Sequence, residues 1–330
     1  MKIADLGEFG LIHRIQKVCS RKSPRTLIGI GDDAAALVVS SSALLLTTTD
    51  MLLEGVHFDL SYTDFTSLGW KSAAVNLSDI AAMGGIPRFC LISIGIPSSV
   101  TVDQVLDFYR GFNTALRPHA TVLVGGDTCS SRSGVVITVT VLGEVKQRAM
   151  ITRSGAQPGD RIFVTNTLGD SAAGLELLKA GKGVVTRGAR VKKLIRKHLL
   201  PVARVKEGKA IARAGCANAM IDISDGLSSD LIHICEQSHV GAIVDIDKIP
   251  LSAALRKSAD ALKRSPIQYA LSGGEDYELL LTVPPGKIKA LHGLGITLTE
   301  IGEITRSRKR LIIDRHGEQK LLKSTGYKHF

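Results

Sequence analysis

Apolar residues come in short runs along this chain, with turn formers between them. The β-prone runs predict strands at 27–30, 44–47, 89–96, 121–124, 135–145, 161–164, 219–223, 241–246, 279–283 and 311–313. Between them apolar positions fall at helical spacing. Residues 67–83 read as a helix stopped by Gly84-Gly85, and residues 102–116 as one opened by a Thr101-x-x-Gln104 capping box. The first 19 residues, MKIADLGEFGLIHRIQKVC, mix charge into a 3.6-residue apolar rhythm; a secretory signal would need an unbroken apolar stretch, so an amphipathic helix is expected. The alternation breaks over 146–160, ending in the turn-forming Gln157-Pro158-Gly159-Asp160. A domain boundary near residue 148 follows, giving units 1–148 and 149–330. LVGGDT in the first and LSGGED in the second hint at a duplication that such short matches do not establish.

With 330 residues and 44% hydrophobic content, the chain can bury a large core. It holds no run of about 18 uncharged apolar residues, so no membrane partner is expected. Net charge is +11, yet the first 148 residues are balanced at 13 basic against 13 acidic, so the excess lies in the rest. Residues 182–213 alone carry eleven basic side chains against the single acid Glu207. Such a block fits either a nucleic-acid footprint or the solvated face of two helices whose Leu194, Ile195, Leu199, Leu200 and Val205 turn inward. The second reading is preferred, because no aromatics are interleaved and aromatics make up only 4% of the chain. Five cysteines, Cys19, Cys90, Cys129, Cys216 and Cys235, form no CxxC pair and are odd in number. This argues against a zinc site and a disulfide framework, and points to a reducing cytoplasm.

The chemistry is concentrated in acidic residues set in Gly- or Ser-flanked turns after apolar runs. They are Asp32 and Asp33 in GIGDDAA, Asp50 in LLLTTTD, Asp79 in NLSDIAAMGG, Asp127 in LVGGDT, and Asp222 and Asp225 in IDISDG. Carboxylates converging on one crevice repel unless cations lie between them, and oxygen-rich sites suit Mg²⁺ and, through it, nucleotide phosphates. The competing reading is local: Asp50, Asp79 and Asp127 as caps, Asp32 as a turn cap. Asn76, one helical turn before Asp79, either supports it or is an exposed position. No GxxxxGK[ST] occurs, which excludes a P-loop. Gly29-Ile30-Gly31-Asp32-Asp33-Ala34 matches GxGxxA, but 34–43 is too short for a dinucleotide-binding helix, and two carboxylates would face the pyrophosphate.

GIGDDAA, TTTD, EGVHF, KSAAVNLSDIAAMGG, GGDT, TRSGAQPGD, GDSAAG, DISDGLSSD, SGGEDYEL and GYKHF, in this order from about residue 3 to residue 330, resemble the thiamine-monophosphate kinases of the aminoimidazole ribonucleotide synthetase superfamily. The resemblance implies an α/β fold of the α+β type with two domains, mixed sheets flanked by helices, and an N-terminal half that dimerises through its sheet while the C-terminal half closes the crevice. It implies in-line transfer of the ATP γ-phosphoryl group to thiamine monophosphate, with several Mg²⁺ ions and no covalent intermediate. By the same resemblance Asp33, Thr48, Thr49, Asp50, Asp79, Asp127, Asp222 and Asp225 are metal ligands. Tyr109, Gly126, Asp127, Arg153 and Ser224 meet ATP, and His57, Glu275 and Tyr327 meet the acceptor, with Tyr327 standing where the family often has Trp. Two alternatives stay open. Selenophosphate synthetase normally has a reactive Cys or selenocysteine in an N-terminal Gly-rich segment, whereas Cys19 sits in the expected helix. The other is a basic nucleic-acid-binding protein using 182–213.

Overall fold

A computed structural model describes residues 26–28, 32–38, 43–181, 188–258, 262, 264–313 and 317–323. The expected N-terminal helix, Cys19 and Tyr327 lie outside these residues. The first sheet is built from β1 (Thr26–Ile28), β2 (Ala35–Val38), β3 (Leu44–Leu53), β4 (Ile86–Ile96), β5 (Val122–Ser130) and β6 (Val136–Val145), in the order β1-β2-β3-β6-β4-β5. Its neighbours run antiparallel except β4 and β5, which are parallel.

One face of this sheet alternates inward. Leu44, Leu46 and Leu52 of β3 and Ile137, Val139 and Val141 of β6 pack beneath α1 (Phe65–Ala82) and α2 (Val102–Leu116). Asp64 caps α1 by accepting the Ser67 amide at 2.8 Å, and Gly84, at φ +71°, ends it in the left-handed conformation glycine takes freely. The Thr101–Gln104 capping box opens α2 as expected. Unlike an amphipathic surface helix, α1 is buried on nearly every side, because it touches β3 and β6 below it and β8 (Ala219–Asp222) of the second sheet.

The second sheet has the order β13-β12-β9-β11-β7-β10-β8, from β7 (Arg161–Thr165), β8 (Ala219–Asp222), β9 (Gly241–Asp245), β10 (Leu279–Val283), β11 (Leu298–Thr305), β12 (Arg310–Ile313) and β13 (Gln319–Leu321). Helices cover both faces, so β8 and β10 are buried along their whole length. On one face Leu227, Leu231 and Ile234 of α6 (Leu227–Ser238) meet Ile162, Val164, Ile221 and Leu280. On the other Ile211 of α5 (Val205–Ala214) and Leu291 of α9 (Ile288–His292) meet Phe163, Met220, Leu279 and Leu281. The remaining helices are α3 (Asp170–Lys179), α4 (Ala189–Leu199), α7 (Ala253–Lys257) and α8 (Pro266–Ser272).

The basic block supplies α4 and α5. Leu194 and Val205 are buried while Ile195, Leu199 and Leu200 are half-buried, and Lys192 and Lys193 face solvent. Among the described residues no helix is long and apolar enough to cross a membrane.

Candidate active site

Carboxylates from separate parts of the chain meet where α1 packs against both sheets. On β3, Thr48 and Asp50 fall by the two-residue period on the face of Leu46 and Leu52, so the strand directs them toward α1. From α1, Asp79 accepts the Thr48 hydroxyl at 2.6 Å. Asn76, fully buried, accepts the Asp50 amide at 3.1 Å and donates to the Ser72 carbonyl at 3.2 Å, so it supports the site. Asp222, at the end of β8, accepts the Ser78 hydroxyl at 2.5 Å. Asp33, Asp79 and Asp222 each place a carboxylate oxygen within 4.8 Å of the others.

Burial and mutual repulsion hold Asp50, Asp79 and Asp222 toward their neutral forms. Burial first and Asp33 second push Asp50 up to about 6 and Asp222 up to about 8. Asp79 is raised well above the ordinary range by burial and then by Asp50, Asp222 and Asp33. At about 4 Å two unit charges repel by roughly 4 kcal/mol near a protein surface, so a cation is the natural relief. One is built in: Arg153 lays its guanidinium on Asp33, Nε to Oδ2 at 2.9 Å and Nη2 to Oδ1 at 2.7 Å. Its segment is pinned by the Ser238 hydroxyl, which accepts the Gly155 and Ala156 amides at 3.1 Å. Asp32 accepts the amides of Asp33 at 2.9 Å and Arg153 at 3.3 Å, the turn-capping behaviour. The donor set is all oxygen, which fits a hard divalent ion.

A second cluster adjoins the first through α1. Lys71, almost fully buried, places Nζ 2.7 Å from Glu275 Oε1, 3.5 Å from His198 Nε2 and 3.5 Å from the His57 carbonyl oxygen. His198 Nδ1 lies 3.1 Å from Glu275 Oε2 and 3.2 Å from the Ser171 hydroxyl. Burial, then the Lys71 charge, lowers the imidazole below its usual range. A neutral ring satisfies both contacts when Nδ1–H donates to Glu275 and Nε2 accepts from Lys71. Burial alone would raise Glu275, but the Lys71 and His198 contacts outweigh it and hold the carboxyl well below the ordinary range. His57 Nδ1 accepts the Leu53 amide at 3.0 Å, which orients its ring.

Other expected residues stand apart. The Thr49 side chain points to the opposite face of β3 from Asp50 and donates to the Val139 carbonyl at 3.1 Å. Asp127 is exposed on edge strand β5 and accepts the Thr128 amide at 2.9 Å, outside the three-carboxylate group. A Cβ on Gly126 would lie 1.8 Å from the Ile92 carbonyl oxygen, so the close approach of β5 to β4 already demands glycine there. Tyr109 packs edge-on against Phe108 at 5.3 Å at the margin of the first core. Ser224 accepts the Glu275 amide at 2.7 Å through its carbonyl, and the Asp225 amide donates to Asp230 at 3.3 Å.

Lys71, His198 and Asp276 escape the sequence reading. A lysine inside the apolar run KSAAVNLSDIAA was a usable signal. Nothing marks His198, which looks like one more polar residue of a basic helix. Asp276 accepts the Gly169 amide at 2.6 Å and the Ser171 amide at 3.3 Å at the start of α3, and burial pushes it up to about 8.

The family model for the AIR synthase related protein N-terminal domain matches residues 31–145, and that for the C-terminal domain matches 157–314. A thiamine-monophosphate kinase of Bacillus subtilis is 36% identical over 98% of this chain and 100% of its own length. One of Aquifex aeolicus is 39% identical over 100% of both chains. The structure of AaThiL complexed with AMPPCP and TMP superposes with a TM-score of 0.88 at 40% identity, covering 100% of this chain and 99% of that one.

Proposed function

The chain belongs to the AIR synthase related family and, within it, to the thiamine-monophosphate kinases, and from that membership we propose that it phosphorylates thiamine monophosphate at the expense of ATP. A phosphate oxygen of the acceptor bonds to the γ-phosphorus as the bond to the β-bridging oxygen breaks, giving thiamine diphosphate and ADP. The observation that carries the reading is the approach of Asp33, Asp79 and Asp222 within 4.8 Å, since an anionic acceptor attacking an anionic donor needs concentrated countercharge.

Mg²⁺ ions held by Asp33, Asp50, Asp79 and Asp222, with Thr48 beside them and Asp127 and Asp225 joining as domains close, would screen that repulsion. Arg153 supplies a fixed guanidinium that can pass from Asp33 to a phosphate oxygen. Asn76 and Ser78 hold the carboxylates in place. Gly126, Ser224 and Tyr109 remain the proposed ATP contacts, and His57, Glu275 and Tyr327 the acceptor contacts. Domain limits of 1–148 and 149–330 agree with a first sheet that ends at Val145 and a second that starts at Arg161.

We also propose a homodimer through the first sheet. Its uncovered face shows Met51, Phe89, Leu91, Val122 and Val124, each 38–55% exposed, and β5 lies at its edge. A cytoplasmic site of action is in keeping with the free thiols of Cys90, Cys129 and Cys216.

The test is incubation with ATP, Mg²⁺ and either thiamine monophosphate or thiamine, following ADP and phosphorylated product. Thiamine diphosphate is expected from the monophosphate and no product from thiamine. ADP release that ignores the monophosphate would sink the proposal.

A further inference from the structure

Glu275 sits in an asymmetric ion cluster. Its side chain is 25% exposed, whereas the Lys71 and His198 side chains behind it are 2% and 3% exposed. A purely structural buried pair would hide both signs, since a partly exposed carboxylate gains less from two desolvated partners. Here the cationic and donor groups are inside, and Glu275 is the member of the cluster whose side chain reaches solvent. The backbone agrees: Glu275 is held at φ +67°, a conformation disfavoured for a non-glycine residue, with its amide on the Ser224 carbonyl at 2.7 Å. Lys71 also reaches the His57 carbonyl at 3.5 Å, so one ammonium ties together two chain segments that are far apart in sequence.

We propose that Lys71 and His198 are positioning residues for the acceptor: together they fix the Glu275 carboxylate and the His57 turn as one anionic socket for a ligand with a cationic and an amino-bearing heteroaromatic ring. The proposal rests on the reading that Glu275 and His57 face thiamine monophosphate, whose thiazolium and aminopyrimidine have that chemistry. Each Glu275 oxygen has one anchor, Oε1 on Lys71 and Oε2 on His198, so the carboxylate plane is set. Removing either anchor frees the carboxylate to rotate without changing its identity. The cost then falls on acceptor binding.

Steady-state kinetics of the full chain with each substrate varied would test this. Lys71→Met, which keeps the buried stem, and His198→Gln should each raise the KM for thiamine monophosphate about tenfold, the value of one hydrogen bond to a charged group. The KM for ATP should stay within about twofold. Because both act through Glu275, either change made in a Glu275→Gln background should add less than about twofold, a non-additivity that a general loss of packing would not produce. Lys71→Arg, which keeps the charge, should recover part of the loss. Parallel increases in both KM values, or full multiplication of effects in the Glu275→Gln background, would overturn the proposal. If Lys71→Met does not fold, the His198→Gln and Glu275→Gln cycle decides alone. A raised acceptor KM in Glu275→Gln with a normal one in His198→Gln would reject the positioning role only. An unchanged acceptor KM in Glu275→Gln would reject the acceptor reading beneath it as well.

Discussion

Replacing Asp79 by Asn exchanges one oxygen for one nitrogen and removes a negative charge that burial, Asp50, Asp222 and Asp33 all oppose. The amide oxygen can still accept the Thr48 hydroxyl that now lies 2.6 Å away, so the local hydrogen bond survives. On the proposed metal-binding role, Asp79→Asn is expected to lower kcat at least about a hundredfold while the ligand-free melting temperature stays level or rises, because the charge burdens the fold and would serve only the reaction. Asp50→Asn should behave alike, its amide anchored on Asn76 being main chain and untouched. Thermal melts beside turnover assays would decide: near-normal activity with a stability loss of about 1 kcal/mol would identify mere caps. The acidic half of the site was legible because Asp33, Asp79 and Asp222 adjoin apolar runs where packing has no use for a carboxylate, although Asp79 lies inside α1 and Asp222 ends β8 instead of occupying turns. The roles of Lys71 and His198 were not: a lysine inside an apolar run marks Lys71 as unusual, but what either residue holds depends on Glu275, more than 70 residues away from both, which no local pattern reveals.

Elements show where periodicity succeeds and where chemistry masks it. The strand at 44–47 was expected to stop at the polar residues, yet β3 continues to Leu53, with Thr48 and Asp50 on the face that packing would reserve for apolar side chains. β11 was missed because it is half-buried along most of its length and its sequence, LTEIGEIT, alternates weakly. In the basic helices the charge count misled in a different way. Arg204 and Lys197 turn back to Glu278, which is fully buried and accepts from Arg204 Nε at 2.7 Å, Thr165 Oγ1 at 2.6 Å and Asn166 Nδ2 at 2.9 Å, with Lys197 Nζ 3.6 Å away. Arg204→Met should thus destabilise by about 3–5 kcal/mol, seen as a lower denaturation midpoint, because it strands a buried carboxylate. Lys192→Glu with Lys193→Glu, on the exposed side of α4, should change stability by less than about 0.5 kcal/mol and leave turnover intact. Salt-sensitive nucleic-acid binding abolished by that double change would revive the footprint reading of 182–213.

At the scale of the whole molecule the two clusters set opposite pH dependences. Asp50 at about 6, Asp32 at about 7 and Asp222 at about 8 all lie above the ordinary carboxyl value of 3.8, so the folded chain binds more protons than the unfolded one between those limits. Without divalent ions the stability these three groups carry must then fall as pH rises from about 4 to about 8, against a smaller opposite pull below about 6.5 from His198 and His233, which burial holds below the ordinary imidazole range. Glu275 has the reverse sign. Its folded value is depressed, so its contribution is complete above the ordinary glutamate value of 4.5 and is lost as pH drops below it. The metal-free protein should consequently be most stable near pH 5, an acidic optimum for a chain of net charge +11 whose site carries the opposite sign. Divalent ions that bind only the folded state act through the same carboxylates, so stabilisation by Mg²⁺ should be small at pH 5 and several degrees at pH 8. Asp222→Asn should flatten both trends, since it removes the group held at about 8 and relieves its neighbours. Melting curves in EDTA and in excess Mg²⁺ across pH 4–9 would show it. A metal-free melting temperature that is level from pH 5 to 8, or Mg²⁺ stabilisation that does not grow with pH, would mean that the carboxylates are compensated within the chain, with Arg153 on Asp33 sufficient to neutralise them.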